Sequence, residues 1–283
     1  MKNYKVFSIV TVILFLVLVL AITFMIFIFQ KRKKVFHLKQ SGVSNSNMQK
    51  FDSQDILQNI QNKKTFAFLK FGDGEYFAII KKNGTNCDGT KYTIELGQKL
   101  KEALQFFSSL QDVYIGQWES DKDIFKKFDK MVEPNKIQWA DFHSMIFKTI
   151  DQYFNKRFCY HAIKNTDQQK IYVCNKDMVE NLQKMLNIDD FVIVDPSNWF
   201  SKNYKEVLES VLQKIKNPRE CILLTSAGMG SKVLYMDVKK HFPSVSCIDI
   251  GSALDLICSD KRSRDYHSLT EKEIQMIRDD LLY

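Results

Sequence analysis

Two carboxylates separated by one glycine, Asp73 and Glu75, are the residues best suited to chemistry in this chain. They follow an apolar run, and Gly72 and Gly74 leave the backbone open to a ligand. If the chain stays extended there, positions i and i+2 point to the same side. Two such oxygen ligands suit Mg²⁺ or Mn²⁺ shared with substrate phosphates. A simple turn is the alternative, because Asp-Gly is a strong turn signal.

The segment SAGMGSK, at 226–232, has the composition of a phosphate-binding turn between a strand and a helix. Small residues at the start of a helix present backbone N–H groups to an anion. The candidate ligands are Ser226, Gly228, Gly230 and Ser231. The segment matches neither the P-loop nor the complete dinucleotide-binding glycine pattern, because position 233 is Val. A tight strand-to-helix turn is the alternative.

Polar residues also follow two further apolar runs. Asn198 and Trp199 come after one of them, where Trp199 can stack on a nucleobase, although a partly buried core position is the commoner role of Trp. Asp249 ends another run, where it serves either as a base or as a cap or turn residue. His143 and His161 have no partner at the spacing of a metal site or a catalytic triad, so we expect structural roles for both.

Short apolar runs alternate with segments of helical periodicity through most of the chain. The sequence predicts strands at 65–71, 112–118, 170–174, 191–195, 221–226 and 244–250. It predicts helices at 100–107, 139–154, 177–187, 207–215 and 234–242, and a last one that starts with a capping box at Thr270. This alternation indicates an α/β fold with a Rossmann-like, mostly parallel sheet and helices on both faces. Ligands of such sheets bind at the carboxyl ends of the strands.

The amino-terminal part has the pattern of a membrane anchor. Val6 to Phe29 is a run of 24 residues without a charge, which is long enough to span a bilayer. We therefore predict a tail at 1–5, a single transmembrane helix at 6–30, a basic and polar stem at 31–52 and one domain at 53–283. A cleaved signal peptide is the alternative, but its apolar stretch is normally shorter. The Lys and Arg residues after the run favour a cytoplasmic domain.

The charge distribution argues against a nucleic-acid partner. The net charge is +8, yet the first 50 residues hold 8 basic and no acidic residues, so the remainder is balanced at 33 of each sign. A nucleic-acid-binding protein usually carries its basic excess on the folded domain. The six cysteines have no zinc-binding spacing. Three of them, Cys174, Cys221 and Cys247, lie in apolar runs, which indicates buried free thiols.

Three segments in the same order resemble the GT-D type glycosyltransferases. Phe71-Gly72-Asp73-Gly74-Glu75 is similar to that family's FGDGE segment, and 196–200 is similar to its proline-containing loop before an aromatic residue. The stretch 221–255 resembles its strand, glycine loop, helix and closing Asp-Ile-Gly strand. Two positions differ from the family pattern, since Lys70 stands where Arg is usual and Ser252 where His is frequent.

The resemblance implies a membrane-anchored glycosyltransferase, of the hexosyltransferase type, that uses a nucleotide-diphosphate sugar and a divalent cation. It implies that Asp73 and Glu75 hold Mn²⁺ or Mg²⁺, which would stabilise the departing nucleotide diphosphate. Lys70, Gly72, Asn198, Trp199 and the glycine-loop residues would bind the donor, with charge from Lys70 or Lys232. The base for an acceptor hydroxyl would be Asp249 or Asp255. A luminal domain is also common among anchored enzymes of this kind.

Two other functions are compatible with the same architecture. A nucleotide-dependent oxidoreductase would use Asp249 at the end of a strand, but it normally carries a fuller glycine pattern. A non-catalytic anchored scaffold would tolerate the departures at Lys70 and Ser252. Nucleotide diphosphates, nicotinamide cofactors and Mn²⁺ would stabilise these three kinds of protein differently.

Overall fold

The structure is a computed structural model that describes residues 51–80, 83–86, 91–117, 122–195, 197–259, 264 and 268–283. The strands in these residues are β1 (Ala67–Lys70), β2 (Gly84–Thr85), β3 (Lys91–Tyr92), β4 (Val113–Gln117), β5 (Trp139–Asp141), β6 (Gln169–Cys174), β7 (Asp190–Ile193), β8 (Cys221–Thr225) and β9 (Ser246–Asp249). The helices are α1 (Ser53–Gln61), α2 (Asp73–Ile80), α3 (Ile94–Ser108), α4 (Lys122–Val132), α5 (Ile150–Asn165), α6 (Val179–Leu186), α7 (Trp199–Lys214), α8 (Gly230–His241), α9 (Asp255–Ser259) and α10 (Glu271–Leu282).

A parallel sheet organises the domain, with the strand order β5-β4-β1-β9-β8-β6-β7. The chain enters at β1 in the middle, runs outward through β4 to β5, crosses to β6 and β7, and returns through β8 to β9, beside β1. The two remaining strands, β2 and β3, form an antiparallel pair. The predicted α/β class with a parallel sheet is therefore confirmed.

Helices cover both faces of the sheet, as the sequence predicts. Apolar residues of α2, α3, α4, α7 and α8 pack in one core, and those of α1, α5, α6, α9 and α10 pack in another. Strand β1 contributes Ala67 and Leu69 to the first core and Phe68 to the second. Because each central strand is buried on both faces, its sequence is a continuous apolar run rather than an alternating one.

The predicted helix over 139–154 is wrong in its first half. Trp139–Asp141 form the edge strand β5, which pairs with β4, and α5 begins only at Ile150 behind the N-cap Thr149. The Asp141 carboxylate accepts a hydrogen bond from the His143 backbone N–H at 3.0 Å, which stabilises a turn directly after the strand. Pairing with β4 and this turn override the helical periodicity of the segment.

The membrane anchor predicted at 6–30 and the stem at 31–52 lie outside the described residues, apart from the last two residues of the stem. Within the part of the chain that the structure describes, no helix has the length and apolar composition to cross a bilayer. The anchor therefore stays a prediction.

The last helix is held in place by a cluster of polar contacts. The predicted capping box is present, since the Thr270 hydroxyl and the Glu273 carboxylate each bond the backbone N–H of the other. Near the other end of α10, the Asp280 carboxylate accepts from the Tyr153 hydroxyl at 2.6 Å and lies 2.9 Å from His161 Nε2. His161 is therefore structural, as the sequence predicts.

We expect Asp280→Ala to lower the free energy of unfolding by about 1–2 kcal/mol, because it leaves the hydroxyl of the buried Tyr153 and the half-buried His161 without their shared acceptor. Asp279→Ala, on the exposed side of the same helix, is the matched control and should change stability by less than about 0.5 kcal/mol. Chemical denaturation of the full-length chain measures both. Equal effects would mean that the cluster does not hold α10.

Candidate functional site

The segments singled out in the sequence meet at one edge of the sheet. Strands β1, β9 and β8 are neighbours, and they end at Lys70, Asp249 and Thr225. The connections that leave β6 and β8 run in opposite directions, toward β7 and toward β9. In parallel sheets such a reversal opens a crevice at the carboxyl ends of the strands, where ligands bind. The reversal lies between β8 and β6, so the candidate site is the carboxyl edge that runs from β1 through β9 and β8 to β6.

Four buried charged side chains form the centre of this edge, and we call them the ion quartet: Lys70, Glu75, Lys232 and Asp249. The Lys232 ammonium lies 3.0 Å from Glu75 Oε1 and 2.9 Å from Asp249 Oδ2. All four residues are at most 9% exposed. They come from β1, α2, α8 and β9, so only the folded chain brings them together.

Lys70 is the least satisfied member of the ion quartet. Its ammonium donates to the Ile250 carbonyl at 2.8 Å and lies 3.9 Å from Asp249 Oδ1, and it faces the Phe142 ring at 5.7 Å from the centroid. Gly251 closes the other side with a φ of +58°, and a Cβ there would overlap the Lys70 ammonium. Gly251 is thus required both by its backbone conformation and by the space that Lys70 takes.

The two ammonium groups have opposite pKa shifts. Burial lowers the pKa of Lys70 to about 8, and Asp249 offsets this only in part. Burial alone would also lower the pKa of Lys232, but Asp249 and Glu75 together raise it above its usual value. Two carboxylates at hydrogen-bond distance stabilise the charged form of Lys232 more than burial disfavours it. Lys232 therefore stays protonated at physiological pH, and Lys70 is the lysine of the ion quartet that loses its proton more easily.

Asp73 and Glu75 do not lie on an extended strand end, which corrects the geometric premise of the predicted metal site. Both lie in the first turn of α2, where residues two apart point in different directions. Asp73 is exposed, whereas Glu75 is buried and turned toward Lys232. The second Glu75 oxygen accepts the Gly72 backbone N–H at 2.9 Å.

In the folded chain, the carboxylate oxygens of Asp73 and Glu75 do not fit a site for a divalent cation. Both Glu75 oxygens are engaged, one by an ammonium and one by a backbone amide. Among the described residues no group of three or more His, Cys, Asp or Glu side chains is arranged to hold a metal ion. A Mg²⁺ or Mn²⁺ ion shared with substrate phosphates is bound through one or two free carboxylates of the protein. The metal site therefore stays a prediction that the contacts of Glu75 disfavour.

Both predicted donor-binding segments line one small open cleft, whose cavity volume of about 20 Å³ is room for about one water molecule. One wall is Ser197, Asn198, Trp199, Phe200 and Ser201, and another is Met229 and Gly230. Lys91, Thr93 and Leu96 form the rest of the lining. The start of α8 joins this cleft to the ion quartet, since Gly230 lines the cleft and Lys232 lies two residues later. We call it the α7/α8 cleft.

Trp199 is a core residue rather than an exposed base-stacking platform. Its side chain is 2% exposed, and its indole N–H donates to the Ala227 carbonyl at 2.8 Å. This bond ties the start of α7 to the glycine loop after β8. Gly230 packs directly on the indole. A Cβ added at this position would lie 2.7 Å from the indole ring. Any larger residue at 230 would therefore displace Trp199.

The glycine loop after β8 leads into α8 and presents backbone N–H groups that have no acceptor among the described residues. Gly228 has a φ of +69°, which favours glycine. The backbone N–H groups of Met229 and Gly230 have no acceptor among the described residues. The Ser231 hydroxyl is fully buried and has no hydrogen-bond partner in the described part of the chain. Ser226, by contrast, is occupied by the Tyr172 hydroxyl at 2.8 Å.

The two predicted bases differ in their surroundings. Asp249 is 2% exposed, and its Oδ2 accepts from Lys232 and, at 3.3 Å, from the Lys70 backbone N–H. Asp249 is thus engaged by both lysines of the ion quartet. Asp255 is half-buried at the start of α9, and its charge acts on Lys70.

Histidine and thiol chemistry are not favoured at this edge. Burial lowers the pKa of His143 to about 4, so it is neutral at physiological pH. The cysteines in the described part of the chain are buried free thiols: Cys159, Cys174, Cys221, Cys247 and Cys258. Burial raises the pKa of Cys174 and Cys221 to about 12, which suppresses the reactive thiolate. The buried free thiols predicted at Cys174, Cys221 and Cys247 are thus confirmed, and the structural role of His143 stays a prediction.

Sequence reasoning missed three residues of the α7/α8 cleft: Lys91, Thr93 and Leu96. They come from β3 and the start of α3, more than 100 residues before α7. The N-cap pattern of Thr93, whose hydroxyl accepts from the Leu96 N–H, was a readable signal for the helix start. No local signal indicates that this helix start faces α7 and α8. Comparisons of the chain with protein-family models, with curated proteins and with solved structures found no match.

Proposed function

We propose that this chain is a membrane-anchored glycosyltransferase that transfers a sugar from a nucleotide-diphosphate sugar to an acceptor hydroxyl. One observation carries the proposal. The two sequence segments that we expect to bind the donor both lie along the α7/α8 cleft. The spare amide donors of Met229 and Gly230 beside that cleft support binding of an anionic donor. A domain without a basic excess supports a small-molecule partner rather than a nucleic acid.

In this proposal the amino end of α8 meets the negative charge of the diphosphate, and the buried Lys70 ammonium, which donates to the Ile250 carbonyl, adds positive charge at the same edge of the sheet. Transfer breaks the bond between the anomeric carbon and the diphosphate oxygen, and the electron pair leaves with the nucleotide diphosphate. The acceptor oxygen forms the new bond to that carbon, and its proton passes to Asp255. Positive groups held in place before the reaction stabilise the charge that develops on the leaving group.

We include the membrane anchor in this proposal, but we assign no role to a divalent cation. The anchor at 6–30 belongs to it, with the domain on the cytoplasmic side, because of the apolar run and the basic residues behind it. No step is assigned to Mn²⁺ or Mg²⁺ at Asp73 and Glu75, because the Glu75 oxygens are engaged. The charge that a metal would supply comes instead from the protein.

A hydrolysis screen tests the proposal. The full-length chain, purified in mild detergent, is incubated with a panel of nucleotide-diphosphate sugars, with and without Mn²⁺, and release of the nucleotide diphosphate is measured. We expect release from one or a few donors. Donor hydrolysis that is absent throughout the panel, together with no binding of any nucleotide diphosphate, would contradict the proposal.

We expect Asn198→Asp to weaken nucleotide-diphosphate binding by about tenfold, because it places a negative charge in the α7/α8 cleft. Asn198 is half-buried at the N-cap position of α7 and makes no side-chain capping bond there, so the substitution removes no cap and the fold should be retained. Asn217→Asp is the matched control. Asn217 is an exposed N-cap just before the amino end of β8, whereas the cleft lies beyond the carboxyl ends of the strands. Calorimetric titration measures both. Equal affinities of the two variants would place the diphosphate outside this cleft.

The titration of Lys70 predicts how donor binding depends on pH. Lys70 is protonated below its pKa of about 8 and loses its charge above it. Affinity for a nucleotide diphosphate should therefore be constant below about pH 7 and fall as the pH rises through 8. Lys70→Arg should keep its affinity to pH 9.5, because a guanidinium stays charged. A parallel loss in both proteins would show that Lys70 is not the titrating group.

A further inference from the structure

Two carboxylates from different parts of the fold share one ammonium at the centre of the ion quartet. Glu75 Oε1 and Asp249 Oδ2 lie 3.0 and 2.9 Å from Lys232 Nζ. The two side chains belong to α2 and β9, and they are 9% and 2% exposed. Two carboxylate oxygens converging on one point in a buried site is the arrangement by which proteins hold hard divalent cations.

Lys232 fills that point with a permanent positive charge. Lys232 lies in the first turn of α8, and its side chain is 5% exposed. Its ammonium therefore contacts the two carboxylates in the protein interior. A metal ion could enter only if this ammonium left both carboxylates. Leaving would place an unpaired ammonium in a buried site, which is costly.

The partner atoms of the carboxylates strengthen this arrangement. The Gly72 N–H holds the other oxygen of Glu75 at 2.9 Å, and the Lys70 backbone N–H approaches Asp249 Oδ2 at 3.3 Å. Neither carboxylate is free to turn toward the exposed Asp73. The oxygens that an Asp73–Glu75 metal site requires are therefore committed to Lys232 and to the backbone.

We propose that the Lys232 ammonium takes the place of a divalent cation between Glu75 and Asp249, so that this centre is complete without a metal. The inference rests on the contacts of the ion quartet and not on the proposed sugar transfer. It predicts that the wild-type chain does not bind Mn²⁺ at this centre. It also predicts that removal of the ammonium alone creates a Mn²⁺ site from Glu75 and Asp249.

The test measures thermal unfolding and Mn²⁺ binding in the absence of any nucleotide. The full-length chain is compared with Lys232→Met, which keeps the length of the stem and removes the charge. The matched control is Lys239→Met, because Lys239 is also 5% exposed on α8 but donates to the Pro243 carbonyl at 3.0 Å instead of a carboxylate. Paramagnetic resonance of Mn²⁺ reports binding directly.

We expect Mn²⁺ to leave the unfolding temperature of the wild type and of Lys239→Met unchanged and to raise that of Lys232→Met. The affinity of Lys232→Met for Mn²⁺ should exceed that of the wild type by about tenfold or more, because a positive charge beside both ligands is removed. A folded Lys232→Met that does not respond to Mn²⁺ would overturn the proposal. If this variant does not fold, the wild type decides: Mn²⁺ binding that Glu75→Gln abolishes would overturn it, and an unchanged free-Mn²⁺ signal would support it.

Discussion

Lys232→Met should lower the free energy of unfolding by about 3–5 kcal/mol, the largest effect that we expect from a single substitution in this chain. Glu75 and Asp249 would remain buried without the cation that both of them contact. An uncompensated buried charge is far more destabilising than a lost surface ion pair. Chemical denaturation of the full-length chain, without divalent cations, measures the effect.

Lys239→Met is the control for this substitution. It removes a buried lysine from the same helix, but among the described residues the only hydrogen-bond partner lost is the Pro243 carbonyl, so we expect a loss of about 1 kcal/mol. A similar loss in the two variants would mean that Glu75 and Asp249 are not charged partners of Lys232. The ion quartet would then be a consequence of packing rather than a source of stability.

Glu75→Gln and Asp73→Asn should have very different effects, although the residues are two positions apart. Glu75→Gln keeps an acceptor for the Gly72 N–H but removes the charge beside Lys232, so we expect a loss of about 2–3 kcal/mol in stability. Asp73→Asn changes an exposed side chain and should stay within about 0.5 kcal/mol. Denaturation of both variants gives the comparison.

The same pair of variants separates the ion quartet from a metal site. If Asp73 and Glu75 held a catalytic cation, both substitutions would remove metal-dependent turnover to a similar degree. If Glu75 serves the ion quartet, Asp73→Asn keeps both its stability and its activity. Loss of turnover in a fully stable Asp73→Asn would therefore favour the metal site that the sequence predicts.

The strands of the central sheet could be predicted from the sequence because their signal is local. The runs at 65–71, 170–174 and 221–226 are apolar throughout, and each became a strand buried on both faces. The capping box at Thr270 was equally readable, because the residues that form it are three positions apart. Local composition was enough wherever the stabilising contacts are also local.

The error over 139–154 shows where a local signal fails. The segment has helical periodicity, yet Trp139–Asp141 pair with β4, which is more than 20 residues earlier in the chain. The strand forms because an edge of the sheet is available to it, and this availability is a property of the assembled sheet. Periodicity can rank helix against strand only when no partner strand competes.

The sequence by itself determined the α/β class, most of the strands and the four segments that could carry chemistry, because periodicity, composition and caps act over a few residues. Only the tertiary structure decided which of these residues meet. The order β1-β9-β8 places Asp249 next to Lys70, and the start of α8 brings Lys232 between Asp249 and Glu75. The separation of Asp73 from Glu75 follows from a helix that begins at Asp73, where an extended chain would have kept them together. Strand order and helix starts depend on packing over the whole chain, and the charges of the site are paired by that packing.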